Sequence, residues 1–393
     1  MRLLTFSTLY PNAAMPQHGV FVENRLRHLL DSGKVTSRVL APVPWFPSKN
    51  PRYGQYAVFA SVPAMETRAG IQVLHPRFPL LPKIGMNLTP WLMAAAMRPV
   101  LRRLIREGLQ FDAIDAHYFY PDGVAAILLG KMFNKPVVIT ARGNDLTLIP
   151  QAALPRRMIQ WAAARAAGLV TVCQALKDVL ITLGVPAERV SVLRNGVDLA
   201  MFQPPADRVA LRNSLAINGT TLLSVGHLIE RKGHDLVIRA LTHLPQTRLL
   251  IAGQGPLENT LRALAQTCGV ADRVRFLGAV KHAALREYYG AADVLVLASS
   301  REGWANVLLE AMACGTPVVA SDVGGTAEVV TTPAAGVLLR ERTPSALADA
   351  VNVLLARTPD SAATRAYAEQ FSWESTTQGQ LDLFARVIQQ ARP

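Results

Sequence analysis

Apolar residues along this chain fall into short runs separated by stretches of helical period. In the first half the runs are 3–7, 37–40, 113–116, 136–139, 169–172 and 190–193, β-branched or Leu-rich and apolar on both faces. Runs of that kind are parallel strands whose two sides are covered by helices, so this half predicts a doubly wound α/β domain. After Phe202, Pro204 and Pro205 the pattern restarts with 221–225, 248–252, 274–277, 294–297, 317–320 and 336–339. A second α/β domain is therefore expected, with domains over 1–200 and 201–371 and a hinge in the Pro-containing stretch 195–205. Two such open sheets predict a ligand at the carboxyl ends of their strands, in a cleft that the domains face. In the tail 372–393, Leu381, Leu383, Phe384, Val387 and Ile388 continue a helical stripe begun by Phe371 and Trp373. That stripe predicts a helix over 372–390 packing back on the first domain. The stretch 42–90 is Pro-rich and aromatic (Trp45, Phe46, Tyr53, Tyr56, Phe78) with weak periodicity, which predicts long loops around few regular elements.

Composition narrows the class. Half of the 393 residues are apolar and 18% are charged, which excludes a disordered chain. The longest apolar stretches, such as 91–97, are broken by Arg98 and Pro99 well short of the roughly 18–20 residues that cross a bilayer. Residues 1–11 carry one Arg, a short apolar run and no small-residue cleavage site, and so predict a first strand rather than a signal peptide. Cys173, Cys268 and Cys314 are odd in number and far apart, which suggests neither a disulfide framework nor a metal cluster and fits a reducing cytoplasm. A net charge of +13 concentrates anions: nucleotides, acidic lipid headgroups or nucleic acid. No recognisable nucleic-acid module is present, so nucleic acid is not an expected partner. The segment 86–106 sets Met86, Leu88, Trp91, Met93, Met97, Leu101, Leu104 and Ile105 against Lys83, Arg98, Arg102, Arg103 and Arg106. It suits a helix lying on an anionic membrane surface, and still better a core-facing helix with a solvated basic side.

Three segments carry candidate chemistry. In Arg301-Glu302-Gly303-Trp304-Ala305-Asn306-Val307-Leu308-Leu309-Glu310, a loop after the run 294–297 leads into an apolar helix. A helix starting near Ala305 or Asn306 would turn its first amides toward the cleft as an anion site. Glu310 then lies about 6 Å along the axis from Asn306, so Glu302 and Glu310 bracket a phosphate-sized gap suited to the hydroxyls of a sugar nucleotide. Singly, Glu302 is a capping or solvated carboxylate and Glu310 an acid paired with a neighbouring Arg; the pair across Gly303 is what marks the segment. In Gly226-His227-Leu228-Ile229-Glu230-Arg231-Lys232-Gly233 the cations stand after a strand and before a helix, where Lys232 would neutralise a diphosphate; a solvated Arg-Lys pair is the equal alternative. Asn195-Gly196-Val197-Asp198 is, alone, a good hinge turn able to hold positive φ.

Taken together, these segments resemble the retaining nucleotide-sugar glycosyltransferases of family 4, which have the two-domain GT-B architecture. The likeness rests on Glu302 and Glu310, on Asn195-Gly196-Val197-Asp198 with Phe202 and Pro204, and on Lys232-Gly233. Gly253-Gln254-Gly255-Pro256, Phe276-Leu277-Gly278 and Ala292-Asp293-Val294 add to it, and their order spans nearly the whole chain. The resemblance implies that Glu310 binds ribose, Glu302 the transferred sugar, the amides of Ala305, Asn306 and Val307 the sugar or phosphates, and Lys232 the diphosphate, with the backbone near Val280 meeting the base. It further implies that Gly19, in His18-Gly19-Val20-Phe21, admits backbone amides close to a phosphate. It places His117, Arg142 and Asp145 on the sugar and acceptor side; His117 taken alone is a buried structural residue. His227 stands where the family has Arg, and Arg231 or a protonated His227 is expected to compensate.

The expected activity is transfer of a hexosyl group from a nucleoside-diphosphate sugar, UDP favoured, to a saccharide or lipid-linked acceptor in surface polysaccharide or glycolipid synthesis. Neither metal nor other cofactor is expected. A nucleotide-sugar epimerase of the same fold is the nearest enzymatic alternative, and a basic nucleic-acid-binding protein a more distant one. Glu258 in place of a third glycine after Gly253 and Gly255 argues against a dinucleotide-binding oxidoreductase.

Overall fold

The computed structural model describes residues 1–80 and 85–391, so Lys83 lies outside the described residues. The chain forms two compact units, Met1–Arg194 with the tail from Glu374 onward, and Asn195–Trp373. The first holds β1 (Arg2–Phe6), β2 (Thr36–Leu40), β3 (Val43–Pro44), β4 (Met65–Arg68), β5 (Ile71–Leu74), β6 (Arg77–Phe78), β7 (Ala113–His117), β8 (Val137–Ala141), β9 (Gly168–Thr171) and β10 (Val190–Val192). Eight of these form one sheet in the order β10-β9-β8-β7-β1-β2-β5-β4, and β3 pairs with β6 apart from it. Among the described residues of this sheet only β4 runs antiparallel to its neighbour. The second unit carries β11 (Thr220–Val225), β12 (Thr247–Ala252), β13 (Val274–Gly278), β14 (Val294–Leu297), β15 (Val318–Ser321) and β16 (Gly336–Leu339), all parallel, in the order β13-β12-β11-β14-β15-β16.

Each unit is thus a Rossmann-like α/β domain, as the apolar runs imply; every run of the sequence pattern is a strand with ends within two residues. The stretch 42–90 is more regular than its composition suggests. It supplies β3, a helix Gln55–Ser61, and the hairpin of β4 and β5. Ala69 at φ 46° and Gly70 at φ 77° make the two-residue turn, both left-handed, as the twist of a tight hairpin requires. Prolines and aromatics on either side hide the short alternation of β5, in which Ile71 and Val73 are buried.

Both sheets reverse strand order at their first strand. In the first unit β1 lies between β2 and β7, and in the second β11 lies between β12 and β14. Loops leaving two such neighbours diverge to opposite faces, which opens a crevice at their carboxyl ends. Those loops are 7–19 and 118–123 in the first unit, and 226–233 and 298–305 in the second.

The helix Thr89–Arg106 buries Met93, Met97, Leu101 and Leu104 and leaves Arg98, Arg102, Arg103 and Arg106 exposed, which is the core-facing arrangement. From Glu374 onward the tail helix Trp373–Gln390 belongs to the first unit. Its Leu381, Leu383, Phe384, Val387 and Ile388 join Leu3, Leu29, Val35, Ala113, Val138 and Val170 in one cluster. Gly168 and Gly379 admit this docking, because a Cβ on them would come within 3.1 Å of Leu383 Cδ1 and 2.5 Å of Leu193 Cδ2 respectively.

Phe384 is 1% exposed in that cluster. Phe384→Ala is therefore expected to destabilise the first unit by about 3–5 kcal/mol, read as a lowered urea midpoint. An unchanged midpoint would mean that the tail does not complete this core.

Candidate functional site

In the second unit Lys232 ends a short turn, Glu230–Lys232, that Gly233 closes at φ 66° before the helix His234–Ala240. A Cβ on Gly233 would lie 2.1 Å from the Ala298 carbonyl oxygen, so this loop touches the one leaving β14. Ser300 N donates to the Arg231 carbonyl at 2.8 Å, and Arg231 Nη1 donates to the Arg301 carbonyl at 2.8 Å. The stitching brings Lys232 Nζ to 2.6 Å from Glu302 Oε1 and Arg231 Nη1 to 3.4 Å from Oε2. The Lys232 stem passes over Gly226, where a Cβ would come within 3.3 Å of it. Gly324, at φ 55°, supports Glu302 from the loop after β15; a Cβ there would meet the Glu302 carbonyl at 1.9 Å.

Glu302 is neither solvated nor a cap. Its side chain is 8% exposed, while Lys232 and Arg231 keep 16% and 23%. Burial pushes its carboxyl up, but the charges of Lys232 and Arg231 outweigh burial and hold it below the ordinary value. His227 is exposed on the loop after β11.

The helix Asn306–Ala313 starts at Ala305 with no side-chain cap, so the amides of Asn306 and Val307 open its N-terminus. Trp304 Nε1 donates to the Asn195 carbonyl at 3.0 Å, and Asn195 Nδ2 donates to Asn306 Oδ1 at 3.3 Å. The Asn195-Gly196 turn thus anchors the helix tip. It does so without positive φ: Gly196 is needed because a Cβ would meet Trp373 N at 2.6 Å. Glu310, buried a turn inside, has no Arg partner at bonding distance among the described residues. It accepts from Tyr289 Oη at 2.8 Å and pairs with His282 Nε2 at 2.9 Å. Burial alone would lower the His282 pKa, yet the bond and charge of Glu310, with Asp198, raise it. Phe202 packs edge-on against both His282 and Tyr289, with centroids at 5.2 and 5.9 Å. Val280 lies half-buried in the loop after β13.

In the first unit Gly19 takes φ 69° ahead of the helix Val20–Asp31, and a Cβ would lie 2.4 Å from the Leu9 carbonyl oxygen. His117 ends β7 at 1% exposure with both ring nitrogens engaged: Nδ1 faces Arg142 Nη2 at 2.6 Å and Nε2 faces Asp115 Oδ2 at 3.1 Å. Burial lowers its pKa and Asp115 only partly restores it, so the neutral ring accepts from Arg142 and donates to Asp115. Burial likewise lowers the Arg142 pKa, to about 9, and the guanidinium carbon sits 5.3 Å over the Phe21 ring. Asp145 is buried and accepts from the backbone N–H groups of Phe119, Arg142 and Gly143 at 2.7–3.2 Å, which fixes the turn after β8.

The structure thus gathers Arg231, Lys232 and Glu302 into one charged cluster and His117, Arg142 and Asp145 into a buried one. Sequence reasoning missed Asp115 and Arg25, which flank the second cluster, and Tyr289 and His282 as the holders of Glu310. Asp115 carried a signal, since residues two apart on a strand share a face. Tyr289 and His282 carried none, because only tertiary packing brings them to Glu310. Among the described residues no group of His, Cys, Asp and Glu could hold a metal ion.

Comparison with known proteins agrees with the fold and shows the family. The family described as Glycosyl transferases group 1 matches residues 207–371, and Glycosyltransferase Family 4 matches residues 51–201. The D-inositol 3-phosphate glycosyltransferase of Xylanimonas cellulosilytica is 33% identical over 354 residues, covering 84% of this chain and 85% of the relative. That of Mycobacterium bovis is 32% identical and covers 76% and 67%. Among solved structures, the sucrose-phosphate synthase of Thermosynechococcus elongatus superposes with a TM-score of 0.81 at 22% identity, over 98% of each chain. Anabaena HepE, in complex with UDP and glucose, superposes with a TM-score of 0.74 at 21% identity, over 98% of this chain and 99% of HepE.

Glu302→Gln removes the anion between two half-buried cations and is expected to cost about 1–3 kcal/mol at neutral pH. Because the Glu302 pKa is depressed, its contribution is complete above the ordinary carboxylate value and is lost as pH falls through the depressed one. The stability gap between wild type and Glu302→Gln should therefore close in acid. Urea midpoints that keep the same gap at neutral pH and at about pH 3 would show that Glu302 is not the charged partner.

Proposed function

The chain belongs to glycosyltransferase family 4, and on that premise we propose that it moves a hexosyl group from a nucleoside-diphosphate sugar to a saccharide or lipid-linked acceptor, with retention and without a metal ion. The observation that carries this reading is the Lys232, Arg231 and Glu302 cluster at the carboxyl ends of β11 and β14, beside the uncapped tip of the helix Asn306–Ala313. An anion arriving there meets an ammonium group, a guanidinium and open amides together. Lys232 and Arg231 would exchange part of their hold on Glu302 for the diphosphate, and the freed Glu302 oxygens would accept from hydroxyls of the transferred sugar. Glu310, oriented by Tyr289 and His282, would accept from the ribose hydroxyls. As the C–O bond to the diphosphate breaks, negative charge grows on the leaving oxygens, and Lys232 with the helix tip stabilises it in place of a metal.

A uridine donor is favoured. The loop 279–282 offers no carboxylate to accept from a guanine edge, and HepE is solved with UDP and with UDP-glucose. We assign Arg142 and Asp145 to the acceptor side, with His117 acting through Arg142, and Gly19 to close backbone approach to phosphate. Inositol 3-phosphate, named for the curated relatives, is a second reading of the acceptor, favoured by their sequence identity. A cytoplasmic enzyme at the inner membrane face, serving surface polysaccharide or glycolipid synthesis, fits the donor and the basic charge.

Screening UDP-, GDP- and ADP-sugars by thermal shift tests the donor. The right one, at about a hundredfold excess over Kd, stabilises by roughly 2.7 kcal/mol, or about 5–10 °C for a unit of this size. No shift with any of them would defeat the reading, and a product formed without acceptor would point to an epimerase. Lys232→Met is expected to lower kcat by about 10²–10³-fold, measured by release of nucleoside diphosphate. If His227→Ala and Arg231→Ala both leave donor affinity and turnover unchanged, neither residue takes the role of the missing Arg.

A further inference from the structure

A cavity of about 250 Å³ lies in the first unit at the carboxyl ends of β1, β2 and β5, walled by Leu9, Met15, Val43, Phe59, Phe78 and Leu80 among others. Its character is unusual for a chain of net charge +13: its lining contains no Lys, Arg, Asp or Glu among the described residues. The two histidines that line it turn their ring nitrogens to the protein. His75 faces the Ala41 carbonyl and Glu66, and His18 Nε2 faces the Thr8 carbonyl. A phosphorylated polyol would find no cation here, and a free hexose would find few polar partners.

Apolar surface also leads up to the cavity. Trp45, 57% exposed, directly follows the lining residue Pro44, and Leu88, 47% exposed, directly precedes the lining residue Thr89. An aromatic relay continues from the wall, with Phe59 against Tyr56, Tyr56 against Phe46 and Phe46 against Tyr53 at centroid distances of 5.1–6.3 Å. Exposed apolar residues of this size, grouped beside a cavity, mark a binding surface rather than scattered surface composition. The volume exceeds the roughly 150 Å³ that holds a benzene ring in an apolar protein cavity, so it accommodates several methylenes.

We propose that this cavity binds the hydrocarbon chain of a lipid-linked acceptor where the chain joins its sugar, and so selects glycolipids over free sugars and phosphorylated polyols. The proposal rests on the glycosyltransferase reading for its purpose but not for its test. Octyl and methyl glucoside, both kept monomeric, are titrated calorimetrically into the full chain without donor. The octyl compound is expected to bind on the order of 50-fold tighter, from three buried methylenes at roughly fourfold each. Met15→Asp and Leu80→Asp, which place a carboxylate at two half-buried wall positions, should reduce that preference to within about threefold. Equal affinity for the two glucosides, a preference that survives in both variants, or tighter binding of glucose 6-phosphate than of octyl glucoside would overturn the proposal. The thermal shift with UDP-glucose, read in the same variants, is expected to be unchanged. Its absence from wild type would count against the donor reading alone, since the glucoside titration reports on the cavity independently.

Discussion

The parallel pairing of β11 with β14 is the constraint on which the second unit's chemistry depends. Leu222 is in register with Val294 and Leu223 with Leu295, although these strands are separated in sequence by two whole strand-helix units. Because β14 crosses over to the far side of β11, the loops that follow the two strands leave together at one edge and turn to opposite faces. Lys232 and Glu302 stand on those two loops, 70 residues apart, and meet only because the strand order reverses there. The ion pair is thus a product of topology before it is a product of side-chain choice.

Once the loops are side by side, glycine decides how near they come. Gly233 against Ala298 and Gly324 against Glu302 leave no room for a Cβ, so backbone rather than side chain forms the contact. Lys232, Arg231 and Glu302 can then share a small volume. One carboxylate there faces two cations, which leaves positive charge in excess and partly exposed. The first unit uses the same reversal at β1 and β7 to different effect. There the charged groups are sealed: Arg25, Asp115, His117 and Arg142 are all under 10% exposed, and burial shifts the histidine toward its neutral form. A sealed network of this kind holds shape, and the turn pinned by Asp145 is part of the shape that it holds.

Much of this was legible in the sequence, and the reason is physical. Strands buried on both faces are written as continuous apolar runs, so twelve of the sixteen strands described could be placed from residues 3–7 through 336–339. The tail helix was legible from its stripe. Glu302, Glu310 and Lys232 stood out as a set only through the family resemblance, and the structure brings Lys232 to Glu302 while Glu310 is held separately by Tyr289 and His282. What escaped notice depends on three-dimensional partners. The hold of Tyr289 and His282 on Glu310 joins separate segments, and nothing local to either announces it. The hairpin of β4 and β5 lies at a sheet edge, where Arg68 and Gln72 dilute the apolar pattern. Asn195-Gly196 suggested a positive-φ turn, whereas its glycine answers to the nearness of Trp373.

The division of labour between the loops follows from the same physics. In the second unit the loops at the strand ends are short and interlocked by backbone contacts, so their chemistry can change little without moving Glu302. In the first unit the segments after β1, β2 and β5 are Pro-rich, and they reach around a cavity lined mainly from 8–18, 41–44, 55–59 and 75–80. The wall residues lie outside β1, β2 and β5, whose places are set by their pairing within the sheet. A chain of this architecture can therefore keep its interlocked charged loops in the second unit while the wall residues of the first-unit cavity vary. The stretch least readable from periodicity, 42–90, is for that reason the one in which specificity has most freedom to reside.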